Sequence, residues 1–461
     1  CRHNSPELDG AARLTQPGTI MALAPGLPIT HRSVLRIAIP IVLSNMSEPL
    51  IGVVNTAVMG RLPGPHYIGG VAVGALIFAF LFWGFGFLRL STGGLSAQAT
   101  GAGDHPALVT LLFRSLILAG GIGLCLVAAG PWLGPLAVGL VGGSEKVMAE
   151  AQTYFSYRIW AAPAALTNFA IMGWFIGQGR ASTAFVVQLF LNVTNMALSA
   201  VLVLEAGYAT AGVGLAVVSA EYAAMALGLA LAARRLAMLR LRPDWPVILQ
   251  REQFLKLISA NSDIMIRTVC LVFAFGWFVA RVARQGDLIV ATNAVVLNLF
   301  EVSAYMIDGF AYAAEALVGQ SIGAKVRERF RRAVGLTTLW AGVLGLACAA
   351  VILVFGNQLS ALMTVDPAVR ESASHYFLWA AMATVLGTAC FQLDGIFTGA
   401  MATRDMRNMM VVSLAVYLAA WWVLEPAWGN HGLWAALNIF FIARGITFSG
   451  RLGAIEKKVF G

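Results

Sequence analysis

Twelve apolar stretches run along the chain, at 34–59, 68–98, 107–130, 154–178, 182–204, 211–233, 254–280, 288–320, 333–356, 373–401, 408–428 and 432–450. Each reaches the roughly 20 residues that a helix needs to cross a hydrocarbon layer about 30 Å thick. Gly, Pro and charged residues punctuate them, so the pattern predicts helices 1–12 of an all-α integral membrane protein. The halves repeat. A shift of 222 residues superposes Gln98 and Gly101 on Gln320 and Gly323, and Tyr154, Phe155, Phe169, Gly173, Phe175 and Gly177 on Tyr376, Phe377, Phe391, Gly395, Phe397 and Gly399. Six helices per half is an even number, so two six-helix pseudo-symmetric lobes of the same orientation are expected, related by an axis along the membrane normal. The predicted organisation is a disordered leader over 1–33, an N-lobe over 34–236, a cytoplasmic linker over 237–253, a C-lobe over 254–453 and a cytoplasmic tail over 454–461. The chain opens on Cys1, and Met21 marks a more ordinary start, which leaves residues 1–20 open as an upstream extension.

Composition agrees. The chain is 59% hydrophobic and 11% charged, with a mean hydropathy of +0.78, which excludes a soluble globular domain. The net charge of +9 does not point to nucleic acid, because the basic residues sit in short segments between apolar runs. Membrane topology accounts for them: 21 lie on one side and 5 on the other. By the positive-inside rule both termini are expected on the cytoplasmic side. Cys125, Cys270, Cys348 and Cys390 lie inside apolar runs and read as packing, with neither a disulfide framework nor a metal site. Gly319 to Lys325 lacks phosphate-loop spacing, and no catalytic elbow or metal cluster stands out. No cofactor is expected, and the chain does not read as an enzyme.

The candidate chemistry lies at bilayer depth, where an acid costs about 2.5–3.5 kcal/mol on insertion scales and usually faces a watery cavity. Helix 8 carries Glu301, Asp308 and Glu315 at seven-residue intervals, with Tyr305 and Tyr312 four residues after the first two. They form one face, an ion or substrate pathway. Glu315 precedes Gln320 and Lys325 closely enough to place it at the inner interface, which leaves Asp308 as the deeper acid. Helix 1 offers Glu48 between Pro40 and Pro49, with Asn55 on the same face. Helix 5 has a neutral stripe of Gln188, Asn192, Asn195 and Ser199, suited to a cavity wall or to helix–helix hydrogen bonding. Helix 7 holds Asp263 and Arg267 four apart, the order of a local ion pair. Asp394 stands alone in helix 10. Arg89 in helix 2 is expected to pair across the lobe interface with an acid of helix 8. Only Glu48 and Glu221 stand opposite these acids in the first lobe, so the second lobe reads as the acidic one.

Four segments together carry a family resemblance: Glu48-Pro-Leu-Ile-Gly-Val-Val-Asn55 through Gly60, Phe85-Gly-Phe-Leu-Arg89 through Gly101, Asp308-Gly-Phe-Ala-Tyr-Ala-Ala-Glu315 through Gly323, and Leu393-Asp394-Gly-Ile-Phe-Thr-Gly399. Over about residues 34–453 the chain resembles the multidrug and toxic compound extrusion (MATE) family, most closely its DinF-like branch. The resemblance implies two lobes around a central cleft, and export of cationic or amphipathic small molecules in exchange for inward H+ or Na+. It also implies that Asp394 matches a cation-binding acid of the second lobe. DinF-like relatives commonly carry Asp where this chain has Asn55 and Ser199, which moves the expected coupling to Asp394 and Asp308, with Glu48 in reserve. The expected working unit is a monomer in the lipid bilayer, by rocking-lobe antiport with H+ ahead of Na+. The alternatives are a flippase for a lipid-linked or amphipathic metabolite, favoured by a strongly cationic cleft, and, remotely, a membrane-embedded lipid enzyme.

Overall fold

A computed structural model describes residues 28–461. Residues 1–27 of the expected leader, Cys1 among them, lie outside the described residues. Among the described residues, twelve helices are long and apolar enough to cross a membrane: α1 (His31–Met59), α2 (Pro65–Ala102), α3 (His105–Val141), α4 (Glu145–Gly177), α5 (Ala181–Glu205), α6 (Ala209–Met238), α7 (Arg251–Val282), α8 (Asp287–Gly323), α9 (Arg327–Met363), α10 (Phe377–Gly399), α11 (Thr403–Trp428) and α12 (Asn430–Phe460). There is no strand among the described residues.

Local chemistry sets the ends. Thr30 caps α1, where the Thr30 amide donates to Ser33 Oγ at 2.9 Å and the Ser33 amide donates back to Thr30 Oγ1 at 3.3 Å, a reciprocal box that satisfies two orphan donors. Asp104 and Ser144 do the same for α3 and α4 with single bonds. α3 continues to Val141, well past its apolar stretch, and runs through Pro131 and Pro135. α2 departs from the unbroken helix that hydropathy predicts. It is interrupted at Phe85–Gly86, and its second half, Phe87–Ala102, is the more buried of the two. A break at Gly is where such a helix yields with least side-chain crowding.

α4 and α10 are the inner helices of the two lobes, and small residues let them approach their neighbours. In α4, a side chain at Gly173 would collide with the carbonyl of Arg89, and one at Gly177 with the carbonyl of Gly93. In α10, Gly395 meets the carbonyl of Ala311 and Gly399 that of Glu315 in the same manner. All four pairings are related by the 222-residue shift, and close backbone approach over small residues is the normal way helices associate in lipid. The turns repeat as well. Gly103 and Gly179 have positive φ of 68° and 71°, and their counterparts Lys325 and Met401 keep it at 55° and 51°. The backbone repeat is therefore more exact than the residue repeat. Of the cysteines, Cys390 is buried as expected, whereas Cys125 is exposed on the outer surface of α3. It does not contribute to core packing.

Candidate functional site

The most heavily charged interior point of the second lobe is Asp394 on α10. Its Oδ2 accepts from Arg267 Nη2 of α7 and, at 2.6 Å, from Arg444 Nη2 of α12. Arg444 is buried, with a side chain 1% exposed, so this is a carboxylate gripped from two sides in a low-dielectric interior. Asp394 thus does not stand alone, and Arg267 does not pair locally with Asp263. Asp263 instead accepts from Arg407 Nη1 at 2.5 Å and Thr403 Oγ1 at 3.1 Å, both on α11. The two charges of α7 reach different helices, Arg267 to α10 and Asp263 to α11, and interhelical partners outcompete the neighbour one turn away. Arg444 was missed in the sequence because it sits in helix 12 without a nearby acid. The available signal was the cost of an arginine at that depth, which demands a partner.

The α8 stripe divides into three environments. Glu301 is exposed. Asp308 is half-buried, and forms no side-chain hydrogen bond or ion pair among the described residues. It shares its surroundings with Arg89, Arg267, Arg444 and Asp394. Glu315 is 0% exposed and fills the space left by the missing side chain of Gly93. It therefore lies deep between the lobes and not at the inner interface. Arg89 Nη1 stands 3.9 Å from Glu315 Oε2, and the Arg89 guanidinium lies 3.8 Å from the Tyr312 ring centroid, a stacking contact worth about 1–2 kcal/mol once desolvated. Tyr305 contributes through its backbone, whose carbonyl accepts from Asn45 Nδ2 of α1 at 3.0 Å. Asp308, Glu315 and Asp394 thus face Arg89, Arg267 and Arg444. The cluster is charge-balanced, and the acidic lobe read from the sequence is neutralised by arginines supplied from α2, α7 and α12.

In the first lobe Glu48 is exposed on α1, within electrostatic reach of Arg158. Glu221 of α6 accepts from Asn168 Nδ2 of α4 at 2.8 Å. Arg158 and Asn168 were not anticipated, since each lies on α4 far in sequence from its partner. The α5 stripe is partly used for packing: Gln188 donates to Asn192 at 2.9 Å, and Asn192 donates to Ser47 of α1 at 2.6 Å. Asn195 and Ser199 are 3.5 Å apart, and buried Asn55 Oδ1 has no hydrogen-bond partner among the described residues.

Twelve spans in two repeated lobes, with charges converging between them at bilayer depth, define a two-lobed membrane transporter. The profile of the MatE family matches residues 40–201 and 264–421, one segment per lobe, and the chain belongs to this family. It is 36% identical over 423 residues to DNA damage-inducible protein F of Escherichia coli, covering 92% of each chain. It is 24% identical to multidrug resistance protein PmpM of Pseudomonas aeruginosa, covering 94% of this chain and 95% of that one. Among solved structures, the Vibrio cholerae MATE transporter VcmN in its bent form superposes with a TM-score of 0.82 at 18% identity, covering 94% of this chain and 98% of that one. A Pyrococcus furiosus MOP superfamily transporter, described by the reverse polarity of its binding pocket, superposes with a TM-score of 0.81 at 16% identity, covering 93% and 96%. The protein is accordingly a multi-pass membrane efflux transporter of small molecules and not an enzyme.

Proposed function

We propose that the protein is a secondary-active antiporter that exports cationic or amphipathic organic compounds against inward protons, by rocking of its two lobes. One observation carries this reading: Asp308, a half-buried carboxylate with no hydrogen-bond or ion-pair partner among the described residues, lies in a cluster where Arg267 and Arg444 hold Asp394 and the buried Glu315 meets Arg89 at 3.9 Å without a hydrogen bond. With Asp308 ionised, three guanidinium groups face three carboxylates and the cluster is neutral. Protonation leaves it with one net positive charge. A cationic substrate is attracted to the first state and repelled from the second, so proton and substrate compete for one group, the requirement of antiport. One-for-one exchange with a monocation moves no net charge and is driven by the pH gradient alone, whereas a neutral amphipathic substrate exchanged for one proton draws also on about 2.3 kcal/mol per 100 mV of potential.

Asp394, which the sequence places beside Asp308 as a coupling residue, takes a supporting role because two arginines hold it. Glu48 remains the first-lobe candidate, opposite Arg158, with Asn55, Asn195 and Ser199 as cavity contacts. Sodium is the less favoured ion, since it requires several oxygens around it and Asp308 is surrounded mainly by guanidinium groups. The flippase alternative requires a strongly cationic cleft, and charge balance argues against it. The unit is assigned as a monomer of the bacterial inner membrane, with both termini cytoplasmic and lobes spanning 34–236 and 254–453.

Proteoliposomes loaded at acidic pH are expected to accumulate ethidium from outside, with about tenfold accumulation per unit of pH gradient for one-for-one exchange. A sodium gradient alone is expected to give none. Accumulation driven by sodium, or by neither ion, contradicts the proton assignment.

A further inference from the structure

Gln98 on α2 and Gln320 on α8 are equivalents under the 222-residue shift, and each reaches into the opposite lobe. Gln98 Nε2 donates to the carbonyl of Gly399 at 2.8 Å, and Gln320 Nε2 donates to the carbonyl of Gly177 at 2.9 Å. Gly177 and Gly399 are themselves related by that shift, so the two bonds are one bond repeated by the pseudo-twofold axis. The main chains meet at the same place. A side chain at Gly101 would collide with the carbonyl of Gln320, and one at Gly323 with the carbonyl of Gln98. Gly319 sustains the approach in the next turn, where an added Cβ would lie 3.1 Å from the carbonyl of Gly399 and 3.4 Å from that of Gly94.

The acceptors explain why a glutamine is needed. Gly177 and Gly399 are the last residues of α4 and α10, where helix carbonyls lack intrahelical donors. The amides that follow bond instead to Ile176, Phe175, Ile396, Thr398 and Phe397. The donor for each terminal carbonyl comes from the other lobe. When the lobes part, both glutamines and both carbonyls can turn to water, so the net loss per bond is small and the contact is reversible.

We propose that Gln98 and Gln320 form a reciprocal latch that closes the cleft at the end carrying the α2–α3 and α8–α9 turns, and that each transport cycle breaks and remakes both bonds. The latch rests on the rocking-lobe reading, and its test separates the two. Spin labels at His105→Cys and Glu328→Cys, exposed sites of the two lobes, report that end of the cleft in a variant whose native cysteines are replaced. Gln98→Met and Gln320→Met remove the donor and keep the volume. Each is expected to shift the closed-to-open ratio about fivefold toward open, and the double variant about twenty-five-fold, as for two independent net hydrogen bonds. Gln98 is less enclosed than Gln320, so Gln98→Met alone gives the test if Gln320→Met does not fold. Variants with unchanged distances, in a protein whose wild type still switches between two distances on adding substrate, overturn the latch and leave the rocking lobes standing. A wild type fixed at one distance under every proton and substrate condition overturns both.

Discussion

Asp308→Asn is expected to abolish accumulation of a lipophilic cation against its gradient, while exchange of labelled for unlabelled substrate across the membrane continues. Asparagine keeps the size of the side chain and its capacity to accept hydrogen bonds, but it carries no charge and releases no proton. The cluster is then held permanently in the state with one unmatched guanidinium charge. Substrate binding weakens, and whatever does bind no longer competes with a proton. For one-for-one exchange of a monocation, which moves no net charge, the expected loss is the whole of the roughly tenfold gradient per unit of pH difference that the proton supports. Uphill accumulation set against exchange in the same vesicles reads this directly. Loss of both together would indicate damage to the binding site alone, and retention of both would remove Asp308 from the coupling step.

Arg444→Met is expected to have the largest effect on stability. Arg444 and Arg267 share one oxygen of Asp394, and Arg444 is the more enclosed of the two. Taking away one member of a buried ionic group strands charge that cannot return to water, at a cost of about 3–5 kcal/mol. Since Arg267 remains, about 3 kcal/mol is the expected loss, measured as a fall in the thermal unfolding midpoint in detergent. Arg444→Lys is expected to recover only part, because a compact, strongly hydrated ammonium on a flexible stem is poorly suited to the enclosed position from which Arg444 Nη2 donates. The double variant Arg444→Met/Asp394→Leu is expected to be less stable than Arg444→Met alone, since it leaves Arg267 enclosed without its carboxylate. A double variant more stable than the single one would show that Arg267 does not depend on Asp394.

The transmembrane architecture was legible because it depends on quantities that single residues carry: apolar length for the spans, basic residues for the expected orientation, and fixed offsets for the repeat. The contacts of the charged residues were not. The spacing rule that paired Asp263 with Arg267 describes an isolated helix surface, and α7 is not isolated. Its two charges are drawn to different neighbours, Arg407 on α11 and Asp394 on α10. Arg444 and Asp394 are 50 residues apart, and no periodicity relates them. Glu315 lies deeper than its sequence predicts for a related reason. The polar Gln320 beyond it points to the inner interface, but Gln320 is itself buried, as a contact between lobes. A polar residue at a helix end marks the water interface only when nothing packs over it. The repeat, by contrast, held more information than its residue matches suggested. It related the backbone positions Arg89 and Ala311, which meet Gly173 and Gly395, and the turns at Gly103 and Lys325, where side-chain identity differs.

The most direct test of proton-coupled antiport through Asp308 is the lumenal pH of proteoliposomes, followed while substrate is added outside in the absence of any imposed potential. With the lumen acidic, addition of ethidium is expected to speed the loss of lumenal protons as the cation enters, and Asp308→Asn vesicles of equal protein content are expected to show no such response. Entry of ethidium into wild-type vesicles with no accompanying change in lumenal pH would contradict the account.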